Sequence, residues 1–267
     1  MVQKTVLITG ARGGLGEALT SEFSNNGWLV IATDLEVRIL NERDRGERVR
    51  EMAMDVSSDT SVGAVAGQLL KEAVQLDLII NNAGIDRYFP LSETPVSHFK
   101  EVFEVNVFGS YRVNQVFLPL LKKPGGRIIH VSSEAVKINV PFMTYPISKQ
   151  TLEGYCRTIR QELRFLGIDV TMIRPGAIRT PFLENVKKMK NPVPDSQLNG
   201  PFEKFAAQAH KEIGKTVEPA VVAKSIYRIA AGRKTRPVYK INNSMQLSVA
   251  SILPFCLTEK VVHRRLR

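Results

Sequence analysis

Near the start of the chain stands Thr5-Val-Leu-Ile-Thr-Gly-Ala-Arg-Gly-Gly-Leu-Gly16, an apolar run that ends in a glycine-rich turn. The apolar run predicts a buried strand, and the residues that follow have helical spacing. A glycine turn between a strand and a helix lets the backbone approach a pyrophosphate, whose negative charge the helix N-terminus favours. The stretch therefore predicts a phosphate-binding unit, with a tight turn that binds nothing as the alternative.

The same alternation of apolar runs and helical spacing continues downstream. Strands are predicted at Thr5–Thr9, Trp28–Thr33, Glu51–Asp55, Leu76–Ile80, Arg127–Val131 and Asp169–Ile173, and helices at Gly16–Asn26, Thr60–Ala73, Val96–Leu121 and Thr144–Phe165. Several strands are continuous apolar runs, which is typical of a parallel sheet covered by helices on both faces. We therefore predict an α/β fold that forms a single domain over residues 1–267.

Three segments depart from this rhythm. Residues 35–51 are highly charged and predict a short, irregular or weakly helical connection. Residues 182–215 contain three prolines and several lysines, and a long irregular insertion in a compact domain is usually functional or disordered. We predict that 182–215 is a mobile substrate lid with little core to bury. Residues 245–267 mix apolar and basic side chains and are interpreted as a C-terminal extension.

The composition indicates a globular protein, with 43% apolar and 24% charged residues among 267. No apolar run approaches the roughly 20 residues needed to span a bilayer, and the N-terminal run is too short for a secretory signal. Two cysteines form no disulfide framework, and four scattered histidines lack the spacing of metal ligands. We therefore expect no metal and a reducing, cytoplasmic location.

The formal net charge is +11, from 37 lysines and arginines against 26 acidic residues. Such an excess is compatible with binding to nucleic acid or to an anionic membrane. The basic residues are spread along the chain without a known nucleic-acid module, so we expect no nucleic-acid partner. Weak peripheral membrane contact through the C-terminal end stays open as an alternative.

Tyr145-Pro-Ile-Ser-Lys149 predicts an acid–base pair, because residues four apart share one face of a helix. A phenol normally loses its proton near pH ~10. A nearby ammonium lowers that pKa, so we expect Tyr145 to exchange protons near neutrality. The pair alone is weak evidence. Along the chain, however, it follows the glycine turn, then Asn81-Asn-Ala-Gly84, then Ser132-Ser133, and the order and spacing of these motifs agree.

That combination of motifs resembles the short-chain dehydrogenases/reductases over nearly the whole chain. The matching residues are Thr9, Gly10, Gly14, Gly16, Asp55, Val56, Asn81, Asn82, Ala83, Gly84, Asn106, Ser133, Tyr145, Lys149, Pro175, Gly176 and Thr180. The resemblance implies a doubly wound, Rossmann-type parallel sheet of order 3-2-1-4-5-6-7, with helices on both faces. It also implies a nicotinamide cofactor.

The resemblance extends to assembly, because in this family the two long helices pair across a two-fold axis. Such an interface uses the same patch on both subunits. The predicted helices carry more apolar residues than one sheet face needs, namely Phe103, Val107, Tyr111, Leu152 and Tyr155. We therefore expect a homodimer or homotetramer.

The resemblance also implies which residues bind the cofactor. They are Gly10, Arg12, Gly14, Leu15, Gly16, Asp34, Asp55, Val56, Asn82, Ala83, Gly84, Tyr145, Lys149, Pro175, Gly176, Ile178 and Thr180. Asp34 would accept hydrogen bonds from both ribose hydroxyls of NAD and repel the extra phosphate of NADP. Arg12 or Arg38 would instead bind that phosphate. We weigh the carboxylate above the arginines and expect NAD, with NADP as the alternative.

The implied chemistry is hydride transfer between the nicotinamide and a carbon that bears oxygen. Tyr145 would exchange the proton, Lys149 would also hold the nicotinamide ribose, and Asn106 would hold a water that links Lys149 to solvent. A serine should contact the substrate oxygen. Reading forward along the strand gives Ser133, whereas counting back thirteen residues from Tyr145 gives Ser132. Strand parity favours Ser133, since a slip of one residue turns the side chain to the other face, and Ser132 stays open.

Tyr88, Phe142 and Phe182 are expected to line an apolar substrate pocket, with plain core packing as the alternative. Such a pocket suits a steroid, retinoid or acyl-type substrate, and the C-terminal extension resembles that of steroid and retinol dehydrogenases. We therefore expect a secondary alcohol or ketone on an apolar small molecule. An acyl- or sugar-type carbonyl reductase is the alternative, and a non-catalytic NAD(P)-binding sensor or scaffold is the alternative of another class.

Overall fold

The computed structural model describes residues 3–37, 48–187, 189–212, 216–233 and 235–266. The described strands are β1 Thr5–Thr9, β2 Leu29–Asp34, β3 Val49–Ala53, β4 Leu78–Asn81, β5 Arg127–Val131, β6 Asp169–Pro175 and β7 Val238–Ile241. They form one seven-stranded parallel sheet of order β3-β2-β1-β4-β5-β6-β7. The predicted doubly wound, Rossmann-type α/β fold is therefore confirmed.

Ten α-helices lie within the described residues. They are α1 Gly14–Asn25, α2 Asp59–Lys71, α3 Val96–Phe103, α4 Ser110–Phe117, α5 Tyr145–Arg164, α6 Pro181–Lys187, α7 Asn199–Glu212, α8 Pro219–Ala231, α9 Met245–Ala250 and α10 Phe255–Leu266. None of the helices in the described ranges is long and apolar enough to cross a membrane.

Strand alternation divides the core into two layers, one on each face of the sheet. In β1, Leu7 packs in the layer formed with α2, α4 and α5, whereas Val6 and Ile8 pack in the layer formed with α1 and α8. Every residue of β1 and β4 is buried, because a parallel strand in the middle of such a sheet is covered on both faces. The carboxyl ends of these strands share one edge, where the candidate site lies.

The stretch expected to be one long helix from Val96 to Leu121 is divided. A π-helical turn at Glu104–Gly109 separates α3 from α4, and a 3₁₀ turn follows at Leu118–Leu120. Single π turns inside helices are often found at functional sites. Here the turn contains Asn106, whose side chain is completely buried and bonded to a neighbouring loop.

Residues 182–215 were expected to be irregular, and this prediction was wrong for the described part. The segment contains most of α6 and all of α7, and α7 buries Phe202 and Phe205 in an apolar cluster. The prolines misled the interpretation, because proline is tolerated in the first turn of a helix. Pro181 begins α6 and Pro201 stands in the first turn of α7. Most of the charged connection 35–51 lies outside the described residues.

Three of the apolar residues expected at a subunit interface are fully or partly buried within the monomer. Val107 and Leu152 are buried in the monomer, and Tyr155 is half-buried. Tyr111, which was among the expected residues, is 50% exposed, and so is Phe108, which was not. In the stretch from Val96 to Leu121, the helical pattern could not separate buried from exposed side chains, because the π turn changes which of them face outward.

Candidate active site

Tyr145 and Lys149 lie at the start of α5, where the chain reaches the carboxyl edge of the sheet. Pro146 stands in the first turn of the helix, a position where its missing N–H costs nothing. The Lys149 ammonium is buried, donates a 2.8 Å hydrogen bond to the Val131 carbonyl and lies 5.5 Å from the centre of the Tyr145 ring. Burial lowers the pKa of Lys149 to about 8.

The pKa of Tyr145 is raised, the opposite of the predicted direction. Burial of the phenol is the main cause, the negative charge of Asp86 adds to it, and a hydrogen bond with Ser133 opposes both. The Lys149 ammonium is held at the Val131 carbonyl, beside the ring. Tyr145 is therefore a neutral phenol at neutral pH, which is the form that donates a proton.

The two candidate serines follow β5 directly and have different partners. Ser133 accepts a 3.1 Å hydrogen bond from the Ala135 N–H, and its hydroxyl is close enough to Tyr145 to lower the pKa of the phenol. The Ser132 hydroxyl is buried and donates 2.7 Å to Glu153 Oε1. The structure thus brings Ser133 to Tyr145, whereas the Ser132 hydroxyl is occupied by Glu153.

Asn106 is fixed by the loop that follows β4. Its Oδ1 accepts a 2.8 Å hydrogen bond from the Ile85 N–H, and its Nδ2 donates 2.9 Å to the Ile85 carbonyl and 2.9 Å to Ser148 Oγ. A Cβ on Gly84 would lie 3.3 Å from Asn106 Oδ1 and 3.5 Å from Lys149 Nζ. The Asn106 amide and the Lys149 ammonium therefore both lie next to Gly84. The water that was expected to link Lys149 to solvent stays a prediction.

The glycine turn after β1 has the shape of an anion cradle. A Cβ on Gly16 would lie 2.0 Å from the Gly10 carbonyl oxygen, so only glycine lets α1 begin this close to the turn. The residue before α1, Gly13, provides no side-chain cap, which leaves the first N–H groups of the helix to bind an anion. Leu15 packs in the core, so it offers only its backbone. These residues fit a pyrophosphate.

The end of β2 is acidic. Asp34 Oδ2 accepts a 2.8 Å hydrogen bond from the Arg12 N–H, and its Oδ1 accepts 2.8 Å from the Leu35 N–H. The Arg12 guanidinium is 3.1 Å from the Glu36 carboxylate, which balances its charge. This arrangement suits ribose hydroxyls better than a phosphate. Arg38, the other candidate phosphate ligand, lies outside the described residues.

The other expected cofactor residues lie along the same edge. Asp55 Oδ1 accepts hydrogen bonds from the Ser57 N–H and hydroxyl, at 2.8 and 2.6 Å, and Val56 is buried. Asn82 Nδ2 donates 3.0 Å to both the Thr9 and Gly10 carbonyls. The next N–H, of Ala83, donates to Thr9 Oγ1. The loop after β4 is thereby fastened to the glycine turn.

The chain after β6 closes against the glycine turn. A Cβ on Gly14 would lie 2.8 Å from Thr180 Cγ2, so the two loops are in direct contact. Pro175 is buried, the Gly176 N–H donates 2.9 Å to the Ile241 carbonyl, and Ile178 packs on the core layer of α1 and α8. The expected residues from β1, β4, α5 and β6 therefore surround one edge of the sheet.

Aromatic residues border Tyr145 on the expected substrate side. The Phe182 ring centre lies 5.3 Å from that of Tyr145. Tyr88 and Phe142 belong to an apolar cluster with Phe202 and Phe205 of α7. Phe142 is itself buried, so its side chain serves packing as well as any pocket.

Sequence reasoning missed Phe202, Phe205 and Asp86. The two phenylalanines are three residues apart, a helical spacing that was available in the sequence. Asp86 carried no motif, and only its place beside Tyr88 and Tyr145 in the folded chain marks it.

Comparison with known proteins places the chain in one family of oxidoreductases. The sequence pattern of one family, described as short chain dehydrogenase, matches residues 4–191. The uncharacterized oxidoreductase YusZ of Bacillus subtilis (strain 168) is 28% identical over 288 residues, covering 100% of this chain and 99% of YusZ.

Two solved structures share the fold. One is a short chain dehydrogenase/reductase from Burkholderia phymatum in complex with NAD, with 23% identity, a TM-score of 0.75 and 88% coverage of each chain. The other is a short chain dehydrogenase from Burkholderia cenocepacia J2315 in complex with NADP. It has 24% identity and a TM-score of 0.74, with 99% of this chain and 97% of that chain covered.

Proposed function

The chain belongs to the short-chain dehydrogenase family, and we propose from this premise that it transfers a hydride between NAD and a secondary alcohol or ketone. The observation that carries the proposal is the placement of Ser133 and Lys149 beside Tyr145, on the same sheet edge as the glycine turn. When bound, the nicotinamide would accept or supply the hydride.

Tyr145 would exchange the proton that accompanies the hydride. Its raised pKa keeps the phenol neutral, which suits protonation of a ketone oxygen. The Ser133 hydroxyl would donate a second hydrogen bond to the same oxygen and stabilise charge that develops there. Two donors on one oxygen also fix the orientation of the reacting carbon.

Lys149 and the glycine turn would hold the cofactor. The Lys149 ammonium is placed near Gly84, where a ribose would have to approach the loop after β4. The uncapped start of α1 would receive the pyrophosphate. Asp34 and the pairing of Arg12 with Glu36 favour NAD over NADP.

We propose an apolar body for the substrate, because Tyr88, Phe142 and Phe182 provide aromatic surface on this side. A steroid-like or retinoid-like alcohol has that character. Acyl-type and sugar-type carbonyl compounds are the competing substrates. Residues 182–215 are proposed to act as the lid, with α6 carrying Phe182 against Tyr145.

A direct absorbance assay tests the proposal. The purified protein is incubated with NAD or NADP and a panel of steroid, retinoid, acyl and sugar alcohols, or with NADH or NADPH and the corresponding carbonyl compounds, and the change in NAD(P)H absorbance is followed. We expect NAD-dependent oxidation of at least one apolar secondary alcohol, lost in Tyr145→Phe. Absence of turnover with both cofactors, in both directions, would refute the proposal.

A further inference from the structure

The C-terminal helices α9 and α10 expose several large apolar side chains. Met245 and Val249 lie one turn apart on α9, and Ile252 lies in the turn that follows. Met245 is 81% exposed, Ile252 is 83% exposed, and Phe255 at the start of α10 is 67% exposed. A single exposed apolar side chain is normal in a folded protein, whereas a group of neighbouring ones marks an interaction surface.

Helix α10 has one face on the protein and another in solvent. Val262 and Leu266 are one turn apart and half-buried, and Leu266 packs against the aromatic cluster that contains Phe142. Leu257 and Val261, also one turn apart, are exposed. The face that they form is therefore not the one that holds α10 on the domain. We call the exposed apolar residues of both helices the C-terminal patch, namely Met245, Val249, Ile252, Phe255, Leu257 and Val261.

The segment that carries the patch is basic. Between residues 245 and 267 the sequence contains a single acidic residue, Glu259. Lys260 and Arg264 are exposed on α10, and Arg264 follows Val261 by three residues, so the two share one side of the helix. Long basic side chains beside an apolar stripe can reach lipid headgroups while the stripe enters the acyl region. The charge of the segment therefore complements an anionic bilayer surface.

We propose that the C-terminal patch, together with Lys260 and Arg264, binds the surface of a membrane that contains anionic phospholipids. Helix α10 has 12 residues, fewer than the roughly 20 that span a bilayer. It would therefore lie in the plane of the interface, with its apolar stripe towards the acyl chains. Binding of this kind does not depend on the proposed hydride transfer.

A second copy of this chain fits the patch less well than a membrane does. A two-fold interface uses the same surface on both subunits, so Lys260 and Arg264 of one copy would approach those of the other. Glu259, the one acidic residue of α10, could balance only part of that charge. An anionic membrane offers acyl chains to the apolar residues and phosphate groups to the basic ones.

Vesicle flotation of the full chain tests the proposal. Vesicles of phosphatidylcholine alone are compared with vesicles of equal parts of phosphatidylcholine and phosphatidylglycerol, at low and at high salt. We expect the wild type to bind the anionic vesicles at least about tenfold more tightly than the neutral ones. We also expect high salt to weaken this binding, because salt screens exposed charges.

Two variants with matched controls locate the contact. Phe255→Ser should weaken binding to the anionic vesicles about tenfold, because it removes apolar area from the acyl region. Arg264→Gln should weaken it about fivefold, because one attraction to anionic lipid is lost. Phe165→Ser and Arg164→Gln are the controls, since both residues are exposed at the end of α5, and these variants should bind like the wild type.

The proposal is overturned if the wild type floats with neither kind of vesicle or equally with both. Binding that survives in Phe255→Ser and Arg264→Gln, both shown to be folded by circular dichroism, would overturn it as well, and so would an equal loss in the two controls. Light scattering of the same variants covers the second copy. A smaller particle in Phe255→Ser with unchanged vesicle binding would show that the patch is a subunit interface instead.

Discussion

The Ser132 hydroxyl donates a 2.7 Å hydrogen bond to Glu153 Oε1 on α5. Arg174 on β6 donates to the same carboxylate, with Nε at 2.7 Å from Oε1 and a second bond to Oε2. This buried group ties the end of β5 to α5 and β6. It occupies Ser132 and leaves Ser133 at the reacting side.

The two serines should therefore separate function from stability. We expect Ser133→Ala to lower kcat about 100-fold, since it removes one donor to the substrate oxygen. Ser132→Ala should change kcat by less than about threefold but lower the free energy of unfolding by about 1–3 kcal/mol, since a buried hydrogen bond to a charged group is lost. Steady-state kinetics and urea unfolding of both variants make the comparison. A larger loss of kcat in Ser132→Ala would reverse the assignment.

Cofactor preference should depend on the acidic end of β2. Asp34→Ala removes the proposed ribose acceptor and the repulsion of a 2′-phosphate. We expect the ratio of kcat/KM for NAD over NADP to fall about tenfold or more. Glu36→Ala should improve NADP use with little loss for NAD, because it releases the Arg12 guanidinium from its ion pair. A wild type that prefers NADP would show that the basic groups dominate.

Lys149 should weaken the fold at neutral pH. Burial lowers its pKa from 10.5 to about 8, so the unfolded chain binds this proton more tightly and stability rises with pH between those two values. We expect Lys149→Met to abolish turnover and to raise the free energy of unfolding at pH 7 on the order of 2–3 kcal/mol. Urea unfolding at pH 7 and near pH 10 measures this. A gain that does not shrink at the higher pH would contradict the assignment.

Assembly should depend on exposed aromatic residues beside the π turn. We expect light scattering at micromolar concentration to give a dimer or tetramer, and Phe108→Arg to give a monomer, because a two-fold interface would bury the new charge twice. Leu70→Arg on α2 is the control, because Leu70 is 62% exposed and lies outside this patch. A monomeric wild type would refute the predicted interface.

The strand–turn–helix unit could be predicted because its signal is local. β1 is a fully buried run, and glycine is required at position 16 because a Cβ there would lie 2.0 Å from the Gly10 carbonyl oxygen. The choice between Ser132 and Ser133 was less certain from sequence, since Ser132 is held by Glu153, 21 residues away. Strand parity nevertheless pointed to the serine that lies beside Tyr145.

The electrostatics of the site could not be predicted from the spacing of Tyr145 and Lys149. The spacing placed both on one helix face, as expected. The direction of the Tyr145 pKa shift depends on burial and on Asp86, which lies far away in the sequence. Helix α7 was also missed, because the prolines before Phe202 were interpreted as helix breakers. Its phenylalanines pack against Phe142, which lies far away in the sequence.

The most direct test of the central claim is the turnover of Tyr145→Phe together with its affinity for NAD. The change removes the phenol oxygen and keeps the ring that packs against Phe182. The account predicts that kcat falls at least about 1000-fold, because the proton carrier is gone, while the NAD dissociation constant stays within about threefold. A variant that retains near-normal turnover would contradict the proposed mechanism.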